Sequence, residues 1–192
     1  NMQPMTPKQR FMAALRGEPV DRPPAASITS VATYELMDIV GVRFPAGNID
    51  PEPMAQLAAG AYDVMGFDSV MPIFSIAQEA TALGCEVGWS DPTTMPNPAT
   101  HPWEDSGVEM QLPDGFPDAF LEDRYVDCAI QAIRLLKKHF GDEVAILGKV
   151  MGPWTLSYHL CNVQEFLYNT LRNPDRVRRS LQVLKVVPLV FA

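Results

Sequence analysis

The residues best suited to bond-making chemistry in this chain are a few cysteines and histidines. His159 and Cys161 form a His-x-Cys pair, which has the local pattern of two zinc ligands. A catalytic zinc site requires three protein ligands, so we favour a packed Cys161 beside a partly exposed His159. Cys128 falls within an amphipathic helical pattern, and Cys85 begins a strand-like segment with no histidine nearby in sequence. We expect structural roles for both cysteines, and we assign no metal ligand and no catalytic residue in this chain.

The elements that would position such residues alternate between strand and helix. Thr6, Pro7 and Gly17 predict a first helix, because threonine caps helices, proline suits the first turn and glycine suits the end. An ordered, proline-containing turn extends to residue 24, and we interpret its Asp21–Arg22 pair as structural. Ala25–Thr29 predicts a short strand. Apolar spacing then predicts helices at 31–40, 51–65 and 76–83, a loop at 43–48 and a strand at 69–74. This alternation indicates parallel strands joined by helices, which is an α/β fold.

Residues 85–118 interrupt the alternation with a proline-rich excursion. We expect a hairpin there, formed by Glu86–Trp89 and Val108–Leu112. Trp89, Trp103 and Phe116 indicate that part of the excursion is packed rather than a disordered linker. Regular patterns resume at residue 119 with a long helix and a strand at 144–151. Gly152–Pro153 opens another helix, and the break at 173–175 opens a further one. We therefore divide a single domain or half-barrel fragment, 1–192, into a first helix and turn (1–24), first strand–helix units (25–84), the excursion (85–118) and further units (119–192).

Composition and charge exclude some classes of function. Fifteen basic and twenty-three acidic residues give a net charge of −8, which disfavours nonspecific binding to nucleic acid. We interpret Arg176, Arg178 and Arg179 as the solvated face of a helix. No apolar run approaches the roughly 20 residues that span a bilayer, so we expect no membrane insertion. The three cysteines are few and widely spaced, which favours the cytoplasm.

Three segments resemble the uroporphyrinogen decarboxylase superfamily. Residues 5–24, MTPKQRFMAALRGEPVDRPP, resemble the first helix and G-x-x-x-D-R-x-P turn of its members. Residues 66–70 and 78–87, GFDSV and QEATALGCEV, are similar to a strand and the following E-x-x-x-L-G-C-E-V of methylcobamide:coenzyme M methyltransferases. Residues 147–156, LGKVMGPWTL, resemble the G-P-x-T-L that ends a central strand in the same group. The resemblance implies the N-terminal portion of a TIM-type (β/α)8 barrel, truncated because such a barrel takes roughly 250 residues.

Two differences separate the chain from the true decarboxylases of that superfamily. Those enzymes carry an arginine-rich M-R-Q-A-G-R loop after the first strand, whereas residues 27–33 here contain no arginine. They also place an aspartate soon after the second strand, where this chain has Pro72–Ile76. A substrate with many carboxylates needs cations, so these differences favour the methyltransferases.

The resemblance implies a parent that transfers a methyl group from a methylcorrinoid to a thiol such as coenzyme M, or to a folate. Its methylcobamide would be free or carried by a corrinoid protein. Zinc would activate the thiol as a thiolate, with ligands from the second half of the barrel. We therefore expect this chain alone to be inactive.

A barrel also implies where substrate would bind, because functional residues of such barrels gather at the carboxyl ends of the strands. On this basis we predict six substrate-binding residues: Thr29, Met71, Gln78, Glu79, Met151 and Trp154. Glu79 is the best polar candidate, as a hydrogen-bond acceptor or proton carrier, and a solvent-facing Glu79 is the alternative. Trp154 either lines the cavity or simply packs.

Two other functions stay open at this stage. Uroporphyrinogen decarboxylase activity would require cations converging on the cavity. A non-catalytic fragment or a docking module for a corrinoid protein would require none of the missing ligands. An incomplete barrel would expose strand edges and apolar faces, so we expect either a homodimer or a longer protein.

Overall fold

The computed structural model describes residues 3–104 and 109–192, and most of the regular structure in them is helical. The helices are α1 (Pro7–Leu15), α2 (Tyr34–Val40), α3 (Ala46–Ile49), α4 (Pro51–Asp63), α5 (Ala77–Ala82), α6 (Asp118–Leu121), α7 (Arg124–Phe140), α8 (Pro153–Cys161), α9 (Val163–Arg172), α10 (Pro174–Leu184) and α11 (Val186–Phe191). The strands are β1 (Ser69–Val70), β2 (Val87–Gly88), β3 (Asn97–Pro98) and β4 (Ala145–Ile146).

The strands pair in two ways. β1 and β4 are parallel, with Ser69 opposite Ala145 and Val70 opposite Ile146. Since α4 precedes β1 and α7 precedes β4 along the chain, the parallel pair is connected through helices, as predicted. β2 and β3 form an antiparallel hairpin. The α/β class is therefore confirmed.

Contacts between residues divide the chain into two units, which we describe separately. The first comprises Asn1–Phe74, Asp91–Met95 and Cys128–Lys149, and the second comprises Ser75–Ser90, Pro96–Asp127 and Val150–Ala192. The first unit holds β1 and β4 and a large apolar core. Leu36, Met37, Met54 and Leu57 in that core are at most 1% exposed.

The first helix forms as its sequence predicts. The Thr6 hydroxyl accepts a hydrogen bond from the backbone N–H of Gln9, and the Gln9 side chain accepts one from the backbone N–H of Thr6. This reciprocal capping box satisfies two N–H groups that a helix start leaves without helical partners. α2 likewise begins after a Thr33 cap and ends at Gly41, whose φ of 76° is a conformation that glycine tolerates.

A cluster of four charged residues ties the first helix and its turn to the start of β1. Arg10 donates to both carboxylate oxygens of Asp21 at 2.6 and 2.8 Å, and to Asp68 at 2.5 Å. Arg22 donates to both oxygens of Asp68 at 2.8 and 2.9 Å. The Ala25 backbone N–H donates to Asp68 at 2.7 Å. The Asp-Arg turn, interpreted from the sequence as structural, therefore anchors through Arg10 and Asp68.

The electrostatics of this cluster favour its ionised form. The hydrogen bond from Arg10 holds the pKa of Asp21 well below its usual range. Burial alone would raise the pKa of Asp68, but hydrogen bonds from Arg22, from the Ala25 backbone and from Arg10 leave it below its usual value. The hydrogen bond with Asp21 raises the pKa of Arg10. Asp68 directly precedes β1, so the cluster lies at the amino end of that strand.

Three sequence predictions differ from the structure. Residues 25–29 form no strand: the Ala25 carbonyl accepts from the Asp68 N–H at 2.6 Å, but Ser27 and Thr29 then bond each other locally. The predicted loop at 43–48 contains the start of α3.

The excursion does contain a hairpin, but its partner strand is wrong in the prediction. β2 falls within Glu86–Trp89 and pairs with Asn97–Pro98, whereas residues 109–112 form no strand. Val108, predicted as part of that partner, lies outside the described residues. The pairing is short because proline has no N–H to donate to a sheet.

The second unit contains the hairpin and most of the later helices. α8, α9 and α10 contact one another, and α5 contacts α8. Leu156 and Leu160 of α8 and Leu184 of α10 are at most 1% exposed, so the buried faces of these two helices are apolar. Across residues 3–104 and 109–192, no helix combines the length and apolarity needed to cross a membrane.

Candidate functional site

α5 places two polar side chains in the interior of the second unit. Gln78 is fully buried and Glu79 is 1% exposed. The helix begins with a local turn in which the Ser75 hydroxyl accepts from the Ala77 N–H at 3.1 Å and donates to the side-chain Oε1 of Gln78 at 3.3 Å. The solvent-facing alternative for Glu79 is therefore wrong.

Glu79 meets the segment that leads into α8. Its Oε1 accepts a hydrogen bond from the Met151 backbone N–H at 2.8 Å. Met151 comes five residues after the end of β4, and Gly152–Pro153 then starts α8 as the sequence predicts. The structure thus joins two predicted site residues, Glu79 and Met151, that are 72 positions apart in the chain.

Trp154 lies in the first turn of α8, three residues beyond Met151. Its side chain is 47% exposed, and its ring packs edge-on against Phe166 at a centroid distance of 4.9 Å. One part of the Trp154 ring contacts α9, and the rest of the ring is accessible to solvent. Trp154 can therefore offer an apolar wall to a ligand.

The other two predicted site residues belong to the first unit. Thr29 is exposed, and its backbone N–H donates to the Ser27 hydroxyl at 3.3 Å. Met71 directly follows β1 and is 2% exposed. A ligand could reach Thr29 directly, whereas contact with Met71 would require a rearrangement. Their assignment to substrate stays a prediction.

The cysteines and histidines do not gather into a metal site. Within the described ranges, no group of three or more His, Cys, Asp or Glu side chains is arranged to hold a metal ion. Burial raises the pKa of Cys161 to about 11 and lowers the pKa of His159 to about 4. At neutral pH both side chains are therefore uncharged. Burial also raises the pKa of Cys85 to about 11, so neither the buried Cys85 thiol nor the half-buried Cys161 thiol is poised as a thiolate.

The excursion supplies a feature that the sequence did not reveal, a cap on the C-terminal end of α8. His101 Nδ1 lies 2.6 Å from the His159 carbonyl oxygen, and the Trp103 backbone N–H donates to the Leu160 carbonyl at 2.9 Å. The last carbonyls of a helix lack helical donors, so these contacts satisfy groups that would otherwise need water. The predicted packing around Trp103 was the one signal of this arrangement.

Comparison with known proteins places this geometry in a family. Residues 6–192 match the family described as Uroporphyrinogen decarboxylase (URO-D). The chain is 29% identical over 191 residues to the methylcobamide:CoM methyltransferase MtaA of Methanosarcina barkeri, covering 100% of this chain and 55% of that protein. It is 35% identical over 155 residues to the methylcobamide:CoM methyltransferase MtbA of Methanosarcina acetivorans, covering 81% of this chain and 44% of that protein.

A solved structure agrees with these sequence comparisons. A methyltransferase from Methanosarcina mazei superposes with a TM-score of 0.88 at 28% sequence identity, covering 97% of this chain and 54% of the other. The chain thus spans about half the length of the relatives it matches. Both the matched residues and the superposition lead to one conclusion: the chain belongs to the uroporphyrinogen decarboxylase family.

Proposed function

We propose that this chain is the N-terminal half of a cobamide-dependent methyltransferase whose complete fold is a TIM-type barrel. The complete protein would transfer a methyl group from a methylcorrinoid, free or carried by a corrinoid protein, to a thiol such as coenzyme M. The observation that supports this best is similarity along the whole of this chain, and over 55% of the relative, to a methylcobamide:CoM methyltransferase. In this proposal the protein works in the cytoplasm.

The chemistry of the site supports methyl transfer over porphyrinogen decarboxylation. Gln78, Glu79 and Trp154 contribute no cation, and residues 27–33 contain no arginine. Arg10 and Arg22 are occupied by Asp21 and Asp68. A substrate with several carboxylates needs cations as partners, and the predicted site residues supply none. The exposed part of Trp154 offers an apolar surface, which suits a corrinoid better.

Zinc has no place among the described residues of this chain. His159 and Cys161 are two candidate ligands where a catalytic site needs three, and no third joins them within the described ranges. The residues present therefore do not fit the metal, and we assign no step of the reaction to zinc bound here. The role of this half is to line the substrate site.

Turnover by the longer protein that contains this chain tests the proposal. Purified protein is incubated separately with methylcobalamin plus coenzyme M, methylcobalamin plus tetrahydrofolate, and uroporphyrinogen. Mass spectrometry then detects the methylated acceptor or the decarboxylated porphyrinogen. We expect methyl-coenzyme M only when methylcobalamin and coenzyme M are both present, and no turnover by residues 1–192 alone.

Each other result of that assay is informative. Methylated folate without methylated thiol would change the acceptor and keep the reaction class. Decarboxylated porphyrinogen, with no methyl transfer to either acceptor, would overturn the proposal.

A further inference from the structure

The Glu79–Met151 hydrogen bond lies where α8 begins. Glu79 is 1% exposed, and its Oε1 receives the Met151 backbone N–H at 2.8 Å. Met151 precedes Gly152, the N-cap of α8, so the bond restrains the backbone immediately before the helix. Both residues belong to the second unit.

The start of α8 has no side-chain cap of its own. Gly152 occupies the N-cap position, which serine, threonine, asparagine and aspartate fill most effectively, and it makes no side-chain hydrogen bond. Pro153 at the first helical position fixes φ but provides no N–H. The direction in which the helix starts therefore depends on tertiary contacts such as the bond to Glu79.

Trp154 is the side chain that this direction controls. It follows Met151 by three residues, and its ring packs against Phe166 at 4.9 Å while 47% of its surface stays exposed. A small rotation of the first turn would move the exposed part of the ring.

We propose that Glu79 is a positioning residue: its carboxylate oxygen holds the Met151 N–H and so fixes Trp154 as the apolar wall of the corrinoid site. The identity of the ligand rests on the proposed function. The positioning role rests on the hydrogen bond and on the order of residues along α8.

In a positioning role, Glu79 must supply a hydrogen-bond acceptor at a particular distance from the backbone. The Met151 N–H needs an acceptor oxygen at the end of a side chain of this length, and a glutamine carbonyl provides the same oxygen at the same reach. Aspartate keeps the acid but withdraws the oxygen by about one methylene, roughly 1.5 Å. A proton carrier would instead need a carboxyl group, so aspartate could replace Glu79 in that role, whereas glutamine could not because it cannot exchange a proton. Glu79→Gln and Glu79→Asp therefore separate the two roles while leaving a polar side chain in place.

The first measurement needs no ligand. In protein comprising residues 1–192, Trp89→Phe and Trp103→Phe leave Trp154 as the one tryptophan. We expect Glu79→Asp to shift the Trp154 emission maximum and to increase its quenching by acrylamide. Glu79→Gln should leave both close to the parent, as should Glu86→Ala, which alters an exposed glutamate of the same unit. An equal change in Glu79→Asp and Glu79→Gln, or no change in Glu79→Asp, would overturn the positioning role.

The second measurement adds methylcobalamin, on the longer protein with the same variants. We expect Glu79→Asp to weaken binding by about tenfold, the effect of losing one buried hydrogen bond, and Glu79→Gln to weaken it by no more than about threefold. The pH profile of methyl transfer should keep its shape in Glu79→Gln, and loss of a limb of that profile would overturn the proposal. If the longer protein without substitutions does not bind methylcobalamin, the proposed function fails. The ligand-free Trp154 measurement would still decide whether Glu79 is a positioning residue.

Discussion

Removal of the Asp68 carboxylate should destabilise the first unit more than removal of any exposed carboxylate. Asp68 has a side chain that is 1% exposed, and it accepts hydrogen bonds from Arg10, from two nitrogens of Arg22 and from the Ala25 backbone. Asp68→Ala deletes these bonds together and leaves two guanidinium groups without this partner. The expected effect therefore exceeds that of an ordinary surface ion pair.

The structure sets the magnitude of this effect. Breaking a buried pair by removing one partner costs about 3–5 kcal/mol. Arg22 is 49% exposed and can be solvated after the change, and Arg10 keeps its two bonds to Asp21. We therefore expect the lower end, a loss of about 3 kcal/mol in the free energy of unfolding. Asp68→Asn keeps the shape and one acceptor oxygen, and it should cost about 1–2 kcal/mol.

Urea unfolding followed by circular dichroism measures both variants. A loss of about 3 kcal/mol lowers the midpoint by roughly 1 M or more, because urea slopes are about 1–3 kcal/mol per molar. The control is Asp142→Ala, which breaks exposed ion pairs to Lys8 and Lys137 in the same unit and should change the midpoint far less. Equal midpoints for Asp68→Ala and Asp142→Ala would refute the assignment of Asp68 as the anchor.

Two further predictions follow from the titrating groups. Because the folded-state pKa of Asp68 is lowered, its stabilisation is complete above the unfolded value of about 3.9 and is lost as pH falls through the folded value. The stability difference between the parent and Asp68→Asn should thus be constant from pH 5 to 7 and shrink below about pH 4; a difference that grows in acid would contradict this. Burial raises the pKa values of Cys85 and Cys161 to about 11. Both thiols should therefore react slowly with a disulfide reagent in the folded protein at pH 8, and they should react fully after unfolding in urea. Added zinc should not change the reaction rate of the folded protein. Rapid native labelling, or protection by zinc, would argue against the structural roles assigned to these thiols.

Local sequence signals predicted the helices well and the strands less well. Thr6 with Pro7 and Thr33 with Gly41 mark helix ends through contacts within a few residues, and the structure has helices at both places. The pairing of Val87–Gly88 with Asn97–Pro98 depends on partners nine and eleven residues away, and the proline there argues against predicting a strand from the sequence. Strand identity is decided by such distant partners, so periodicity alone placed the hairpin incorrectly.

The candidate site shows the same division between local and distant information. The resemblance to a barrel led us to predict Gln78, Glu79 and Met151 as site residues, but it did not reveal that Glu79 is buried or that it bonds Met151. The apolar neighbours Ala77 and Ala80 were the available signal for burial of α5. The Asp21–Arg22 turn was interpreted correctly as structural, whereas its anchor Asp68 lies 46 positions from Arg22 and no local pattern marks it.

Amide hydrogen exchange on the longer protein tests the central claim most directly, because it reports on the residues of the site as well as on the ligand. Exchange is compared with and without methylcobalamin, in peptides that cover the start of α8 and in peptides from α2, which serve as the control. We expect slower exchange around residues 151–158 and no change in residues 34–40. Unchanged exchange around 151–158 with saturating methylcobalamin, together with protection elsewhere, would place the corrinoid away from Glu79, Met151 and Trp154 and contradict the account.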